Sequence, residues 1–363
     1  MILLAFLAGE TAAAEPLRVV LTGQALIKHD LREAAAEKFA ATRALLAAGA
    51  ADVVFTNLEV AIDNGRGKPT RTNQFFHATK PAVLDALQGW GFNLLALSNN
   101  HAFDLGPEGV LGTIDAVKAR GFVHAGTGAT LAAASAPAIL TTKRGRVALV
   151  SFGSGKLGEG AAATATRAGL NEVRLDEKSR EIVREDAERV FAALRAAAAA
   201  AEVVIAYQHD HYWEPDNRVT PAWKRPFAKA CIDAGATVFI SHGAPLLHGI
   251  ELHRGRPIFY DLGGLVFHTV TAPGYYLPEV WEGAIARAEF SGGRVTALTL
   301  HPIALNEKGA GEPPDPGFYR TRGAPAPATG AQARAILERV ARLSAAFGTK
   351  LAVEGDAARL ILP

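Results

Sequence analysis

The chain has 363 residues, 49% of them hydrophobic, with 38 basic and 36 acidic side chains for a formal net charge of +2. That length and apolar content suit a globular protein with a buried core, and so even a charge balance offers no polyanion-binding surface, which removes nucleic acid as an expected partner. The single cysteine, Cys231, excludes an internal disulfide and a cysteine-based zinc cage, while eleven histidines leave a His/Asn/carboxylate metal site open.

Residues 1–16 read as an apolar stretch followed by small residues, in the manner of an export cleavage site without its basic leading region. The expectation is an exported, periplasmic protein whose residues 17–363 form one domain; the alternative is a cytoplasmic protein with an apolar leader. No later stretch reaches the roughly 18 apolar residues of a membrane-spanning helix, so a soluble mature chain without a transmembrane segment is expected.

From residue 17 the pattern alternates between strands and helices. Leu17 to Gly23 and Ala51 to Thr56 are predicted strands around a helix from Asp30 to Ala48, and Asn64 to Pro69 is a loop by its Gly and Pro content. A helix from Pro81 leads to a strand at Asn93 to Ser98, a helix from Pro107 to Arg120, a strand at Phe122 to Ala125 and a hairpin turning at Lys143 to Arg146. Asp176 to Ala201 is the longest helical pattern, ending in an alanine run whose helix propensity is high and chemical content low. Strands at Val203 to Gln208 and Thr237 to Ser241 flank a helix at Pro221 to Ala234. Hairpins then turn at Arg254 to Pro257 and Ser291 to Arg294, proline-rich loops follow, and an amphipathic helix runs from Ala331 to Phe347. The alternation predicts sheets covered by helices in one undivided α/β domain.

Four apolar strands end on ligand-type residues: Asn57-Leu-Glu59, Ser98-Asn-Asn-His101, His209-Asp-His211 and Ser241-His242. Loops at strand ends expose side chains that the strands position. Polar groups placed there without partners would be costly to bury, and a metal ion is the economical common partner. Each segment alone also has an ordinary role open to it, as a surface carboxylate, a turn former or a satisfied half-buried histidine. The four together, in this order, point to a site.

The segment Leu97-Ser-Asn-Asn-His-Ala-Phe-Asp-Leu-Gly106 resembles the NNH-x-x-D-x-G block of the CapA family of poly-γ-glutamate capsule biosynthesis. Ile232 to Glu251, with Ser241-His-Gly-Ala-Pro245, resembles that family's stretch ending in GHxPH, and Gly255 to Phe267 resembles its Y-S-L-G-N-F strand; the similarity runs from about Val19 to about Phe267. The resemblance implies a four-layer αββα sandwich of the calcineurin-like metallophosphoesterase type. It also implies Glu59 as a bridging carboxylate, with Asn100, His209 and His242 completing one metal site.

A second ion would need an aspartate where this chain has Gln24 and a histidine where it has Pro245. A neutral amide is a poor substitute for a carboxylate and proline offers no side-chain donor. One divalent ion per chain is therefore expected, with Mn, Zn and Fe all tolerating mixed N/O ligands. His29, His211 and His248 lie near the lost ligands in sequence and are candidate substitutes; His77, His211 and Trp213, with Arg71 and Tyr212, are candidate substrate contacts. Gly264 stands where the family has asparagine, a change that would open space.

His101, beside a proposed ligand, is the candidate general acid or base, with Asp104 spaced to orient it; a structural histidine at a helix start is its alternative. The expected activity is hydrolysis of a small molecule or a glutamyl or other amide polymer by a metal-activated water. Two alternatives stay open: an accessory protein of capsule synthesis that binds a polymer without catalysis, and a two-metal phosphoesterase with substitute ligands.

Overall fold

A computed structural model describes residues 15–176 and 178–362. The leader expected at residues 1–16 lies, apart from its last two positions, outside them. Two sheets stack face to face with helices on both outer faces, the αββα architecture expected. The larger sheet runs Lys350–Glu354, Ala357–Ile361, Arg294–Leu305, Glu282–Ser291, Leu17–Leu21, Val53–Asn57, Leu94–Ala96, Val123–Ala125, with Pro325–Pro327 also paired to Arg294–Leu305. The smaller sheet runs Ile250–His253, Arg256–Phe259, Val238–His242, Val203–Asp210, Gly145–Ser154, Ala138–Thr142.

The central strands are buried on both faces, which is why they read as continuous apolar runs. The period of two sorts their side chains. Leu17, Val19, Leu21, Val53 and Phe55 meet Val203, Ile205, Tyr207, Val238 and Ile240 between the sheets. The alternate residues Val20 and Val54 pack under the helices of the larger sheet, and Val204, Ala206 and Phe239 under Arg184–Ala198 and Lys224–Asp233. Each large apolar side chain so enclosed contributes about 1.5–3 kcal/mol relative to exposure. No helix among the described residues is long and apolar enough to cross a membrane.

The helix expected from Asp176 begins only at Arg184. Asp176 Oδ1 accepts the amides of Lys178 and Ser179, and this local turn, with Arg180 at φ 57°, closes the small hairpin Leu175–Asp176 to Glu181–Ile182 ahead of the helix. The helix expected from Asp30 to Ala48 breaks at Ala35 (φ −143°, ψ 50°) into Leu31–Ala34 and Ala36–Ala47. Sequence patterning did not anticipate the last hairpin, Lys350–Glu354 with Ala357–Ile361, which extends the edge of the larger sheet.

Candidate metal centre

Parallel strands of both sheets end at the same edge of the sandwich. Asn57 pairs in register with Ala96 in the larger sheet and His209 with His242 in the smaller. Strand parity aims the side chains: His209 follows Val203, Ile205 and Tyr207 on the inner face, His211 follows it, and His242 follows Val238 and Ile240. Asp210, on the opposite face, instead lies 3.1 Å from the buried Lys224 ammonium under the helices.

Two glycines permit the close approach of the loops. A Cβ on Gly23 would lie 2.3 Å from Gly263 O, and one on Gly243 (φ +131°) would lie 2.1 Å from Asp210 O. Asn99 joins two of the loops: its Nδ2 donates to Asn57 Oδ1 (3.0 Å) and Leu58 O (2.8 Å), and its Oδ1 accepts the His101 amide (3.0 Å). The first asparagine of the doublet is thus the brace, leaving Asn100 free to face the centre.

His209 Nε2 stands 2.9 Å from Asn100 Oδ1, 3.0 Å from His211 Nε2 and 3.6 Å from Glu59 Oε1. Donor atoms about 2.1 Å from a shared ion lie roughly 3.0–3.4 Å from one another in octahedral or tetrahedral geometry, so these spacings suit a metal. Glu59, His209 and His211 are the group of acids and histidines whose donor atoms all lie within 4.8 Å of one another among the described residues. Glu59 Oε2 and His242 Nε2 are buried with no hydrogen-bond partner, as expected of groups whose partner is a cation. Burial, then the charges of Asp261 and Asp104, pushes the Glu59 carboxyl well above the usual range, and burial holds His209 and His211 well below theirs. Neutral imidazoles and a carboxylate lacking a countercharge are the donor set of a divalent ion.

Behind this cluster, His101 Nδ1 is 3.0 Å from Asp104 Oδ2 and its Nε2 is 3.0 Å from Asn100 Nδ2. The amide donor fixes Nε2 as an acceptor and puts the ring proton on Nδ1, toward the carboxylate. Burial, reinforced by Arg71 and Lys28, pushes His101 down to about 3, and burial pushes Asp104 up to about 7 against the His77 amide, Arg71 and Lys28. Arg71 ties this pair to the rest, with Nε 2.8 Å from Asp104 Oδ1 and Nη2 donating to Asn100 O (2.9 Å).

Residues 18–269 match the family described as Bacterial capsule synthesis protein PGA_cap. The chain belongs to this family. Among its relatives, the uncharacterized protein y4sH of Sinorhizobium fredii is 28% identical over 401 residues, covering 84% of this chain and 85% of the relative. The capsule biosynthesis protein CapA of Bacillus anthracis is 27% identical over 221 residues, 60% of this chain and 50% of that protein. The PGA biosynthesis protein CapA of Bacillus subtilis is 26% identical over 222 residues, 60% of this chain and 54% of that protein. Among solved structures, the NAD nucleotidase of Haemophilus influenzae aligns with a TM-score of 0.41 at 12% identity, covering 90% of this chain and 56% of that one.

In this PGA_cap chain the structure brings Glu59, Asn100 and His209 together and adds His211. His242 stands on the neighbouring strand with Nδ1 3.2 Å from Tyr207 Oη. Its Nε2 is the orphaned atom, and burial pushes the ring down to about 3. Gln24 is buried at the second position with its Oε1 unpartnered. His248 is turned away, with Nδ1 on Thr220 Oγ1 (3.2 Å) and Nε2 on Asn217 O (3.0 Å), and His29 packs against the His268 ring at 5.1 Å; neither joins the cluster. His77 touches the His101 ring edge-on at 4.4 Å and donates its amide to Asp104 Oδ2 (2.7 Å). Trp213 lies over His211 at 4.7 Å. The space expected beside Gly264 is closed, because a Cβ there would meet Leu305 Cδ1 at 2.9 Å.

Sequence reasoning does not reach the brace Asn99, its partner Asn57 or the buried Asp261, whose oxygens accept the Gly263 (2.8 Å) and Ala244 (3.3 Å) amides. It gives His211 only an auxiliary place, although its parity with His209 is visible in the apolar strand that precedes both.

Proposed function

We propose that this PGA_cap protein is a metal-dependent hydrolase holding one divalent ion, acting on a small molecule or a glutamyl or other amide polymer. The observation that carries the reading is the convergence of Asn100 Oδ1, His211 Nε2 and Glu59 Oε1 within 2.9–3.6 Å of His209 Nε2, with the orphaned Glu59 Oε2 and His242 Nε2 beside them. Glu59, Asn100, His209 and His211 would hold the ion, with His242 Nε2 available to it. When bound, the ion would supply a water made acidic enough to ionise near neutral pH and polarise the scissile group.

The remaining chemistry belongs to the chain. His101 rests neutral with an acceptor Nε2, which suits it to take the proton of the attacking water and then deliver it to the leaving group. Asp104 on Nδ1 holds the ring in that tautomer and balances the imidazolium while the proton is on it. Arg71, through Asp104 and the Asn100 carbonyl, keeps the base and the ligand loop in fixed relation.

Elemental analysis of the purified protein, then turnover screens on glutamyl amides, lactones and phosphoesters with added Mn, Zn or Fe, tests the reading. About one ion per chain and ion-dependent hydrolysis of an amide or ester is the expected result. A folded wild-type protein that binds no ion at any supplied concentration would return the accessory role that the capsule-biosynthesis names of its relatives suggest. Location outside the cytoplasm, suggested by residues 1–16, is part of the same proposal, and fractionation of the native cells checks it.

A further inference from the structure

The border of the centre carries more positive than negative charge. The rings of His209 and His211 stack at 4.9 Å, Trp213 covers His211 at 4.7 Å, and Lys156 Nζ sits 4.2 Å from the Trp213 ring centre. This column runs from the buried ligand His209 through half-buried His211 and Trp213 to exposed Lys156, so it marks the side on which the centre meets solvent. Lys156 has no ion pair among the described residues.

Arg71 stands at the same border. Its Nε and Nη2 are committed to Asp104 and the Asn100 carbonyl, and its Nη1 has no hydrogen-bond partner among the described residues. A Cβ on Gly158, two residues past Lys156, would come within 3.6 Å of Arg71 Nη2, so the guanidinium and the Lys156 turn adjoin.

Lys28 supplies the third cation. Its amide donates to His268 Nδ1 (2.8 Å) and its carbonyl accepts from Thr79 Oγ1 (2.7 Å), which pins it beside the strand that begins just past His77. The ammonium is half-buried and makes no ion pair among the described residues. Its charge is felt by His77, His101 and Asp104, which locates it on the far side of Arg71 from Lys156. Burial lowers the affinity of Lys28 for its proton and Asp104 restores part of it. One carboxylate, Asp104, thus faces three cations, and a half-buried ammonium without a partner is a costly feature unless a ligand completes it.

The geometry points to a substrate with an oxyanion group, carboxylate or phosphate, next to the bond that is cleaved: Arg71 Nη1 receives it, with Lys28 and Lys156 on either side and Trp213 as the apolar wall. This rests on the metal-hydrolase reading for the position of the bond, but its test reads binding and not turnover.

Tri-γ-glutamate and an alkyl phosphate serve as anionic probes, each paired with an uncharged counterpart, the fully amidated peptide and the corresponding trialkyl ester. They are titrated calorimetrically into metal-supplemented wild type and into the Lys28→Met/Lys156→Met double variant, after circular dichroism and elemental analysis have shown that the variant keeps its fold and ion content. At least one anion should bind wild type roughly 10-fold or more tighter than its neutral partner, and that preference should shrink to about threefold or less in the double variant. The arm that succeeds identifies the group as carboxylate or phosphate. Equal binding of charged and neutral probes, no binding of either anion, or a preference untouched by the double variant overturns the inference. Hydrolysis of neutral amides without charge preference would sink it and leave the hydrolase standing; charge-selective binding without turnover of any substrate would do the reverse.

Discussion

Two sides of the centre have had different fates. On one, Glu59, Asn100, His209 and His211 bring donor atoms to spacings that suit an ion, and His242 Nε2 waits beside them. On the other, Gln24 and Pro245 stand where the family resemblance calls for ligands, His29 and His248 are engaged elsewhere, and Leu305 fills the space next to Gly264. The backbone is the same in kind on both sides, strand ends brought together by close glycine contacts. The difference lies in the donor atoms: nitrogen and charged oxygen persist on the first, while an amide, a proline and a leucine occupy the second. A shared scaffold can therefore keep one ion site while its neighbour is replaced by packing.

The largest expected effect comes from breaking the retained side. Glu59→Ala or His209→Ala should weaken ion binding by more than about 100-fold and abolish turnover, since even residues that only support ligands cost 10–100-fold; elemental analysis after dialysis reads it, and unchanged ion content would overturn the assignment. Next is the acid/base pair. His101→Asn should lower kcat by about 10²–10⁴ with ion content intact, and Asp104→Asn should do so by less; a parallel loss of the ion would instead make His101 part of the scaffold.

The replaced side offers the sharper test. Gln24→Asp with Pro245→His should raise tightly bound metal from about one ion per chain to about two. Two ions in wild type would erase the contrast. A smaller effect belongs to packing: Gly264→Asn should cost about 1–3 kcal/mol in urea unfolding because Leu305 must move, and adding Leu305→Ala should recover part of it.

The smallest effect is a proton. Glu59 has its folded-state affinity for a proton raised by burial, so the metal-free carboxyl keeps its proton at pH values where a solvated one would lose it. Metal binding requires the carboxylate, so it should release about one proton from Glu59 and strengthen as pH rises. Calorimetry in two buffers of different ionisation enthalpy measures this, and Glu59→Gln should remove that proton.

The sequence is most legible where chemistry and pattern coincide. Four ligand-bearing strand ends and the Ser98–His101 segment are readable because a buried strand packed only for stability rarely ends in a cluster of polar ligand-type residues, and spacing alone pairs Asp104 with His101. Helix starts are less legible, since Asp176 and Ala35 redirect the chain by local hydrogen bonding and backbone angles that a composition window averages away. Of the site residues, Asn99 is hidden because an asparagine that braces and one that faces an ion are the same letter.

By itself, then, the sequence determined the fold class, the family and the residue types available for an ion, because burial patterns and ligand chemistry are local properties of the chain. The tertiary structure decided which of eleven histidines meet: His211 joined His209 through strand parity, while His29 and His248 found other partners. It also turned Lys28, Arg71 and Lys156, which are distant in sequence and ordinary in composition, toward one border. Convergence of that kind depends on how two sheets stack, and no single stretch of sequence encodes the distance between their ends.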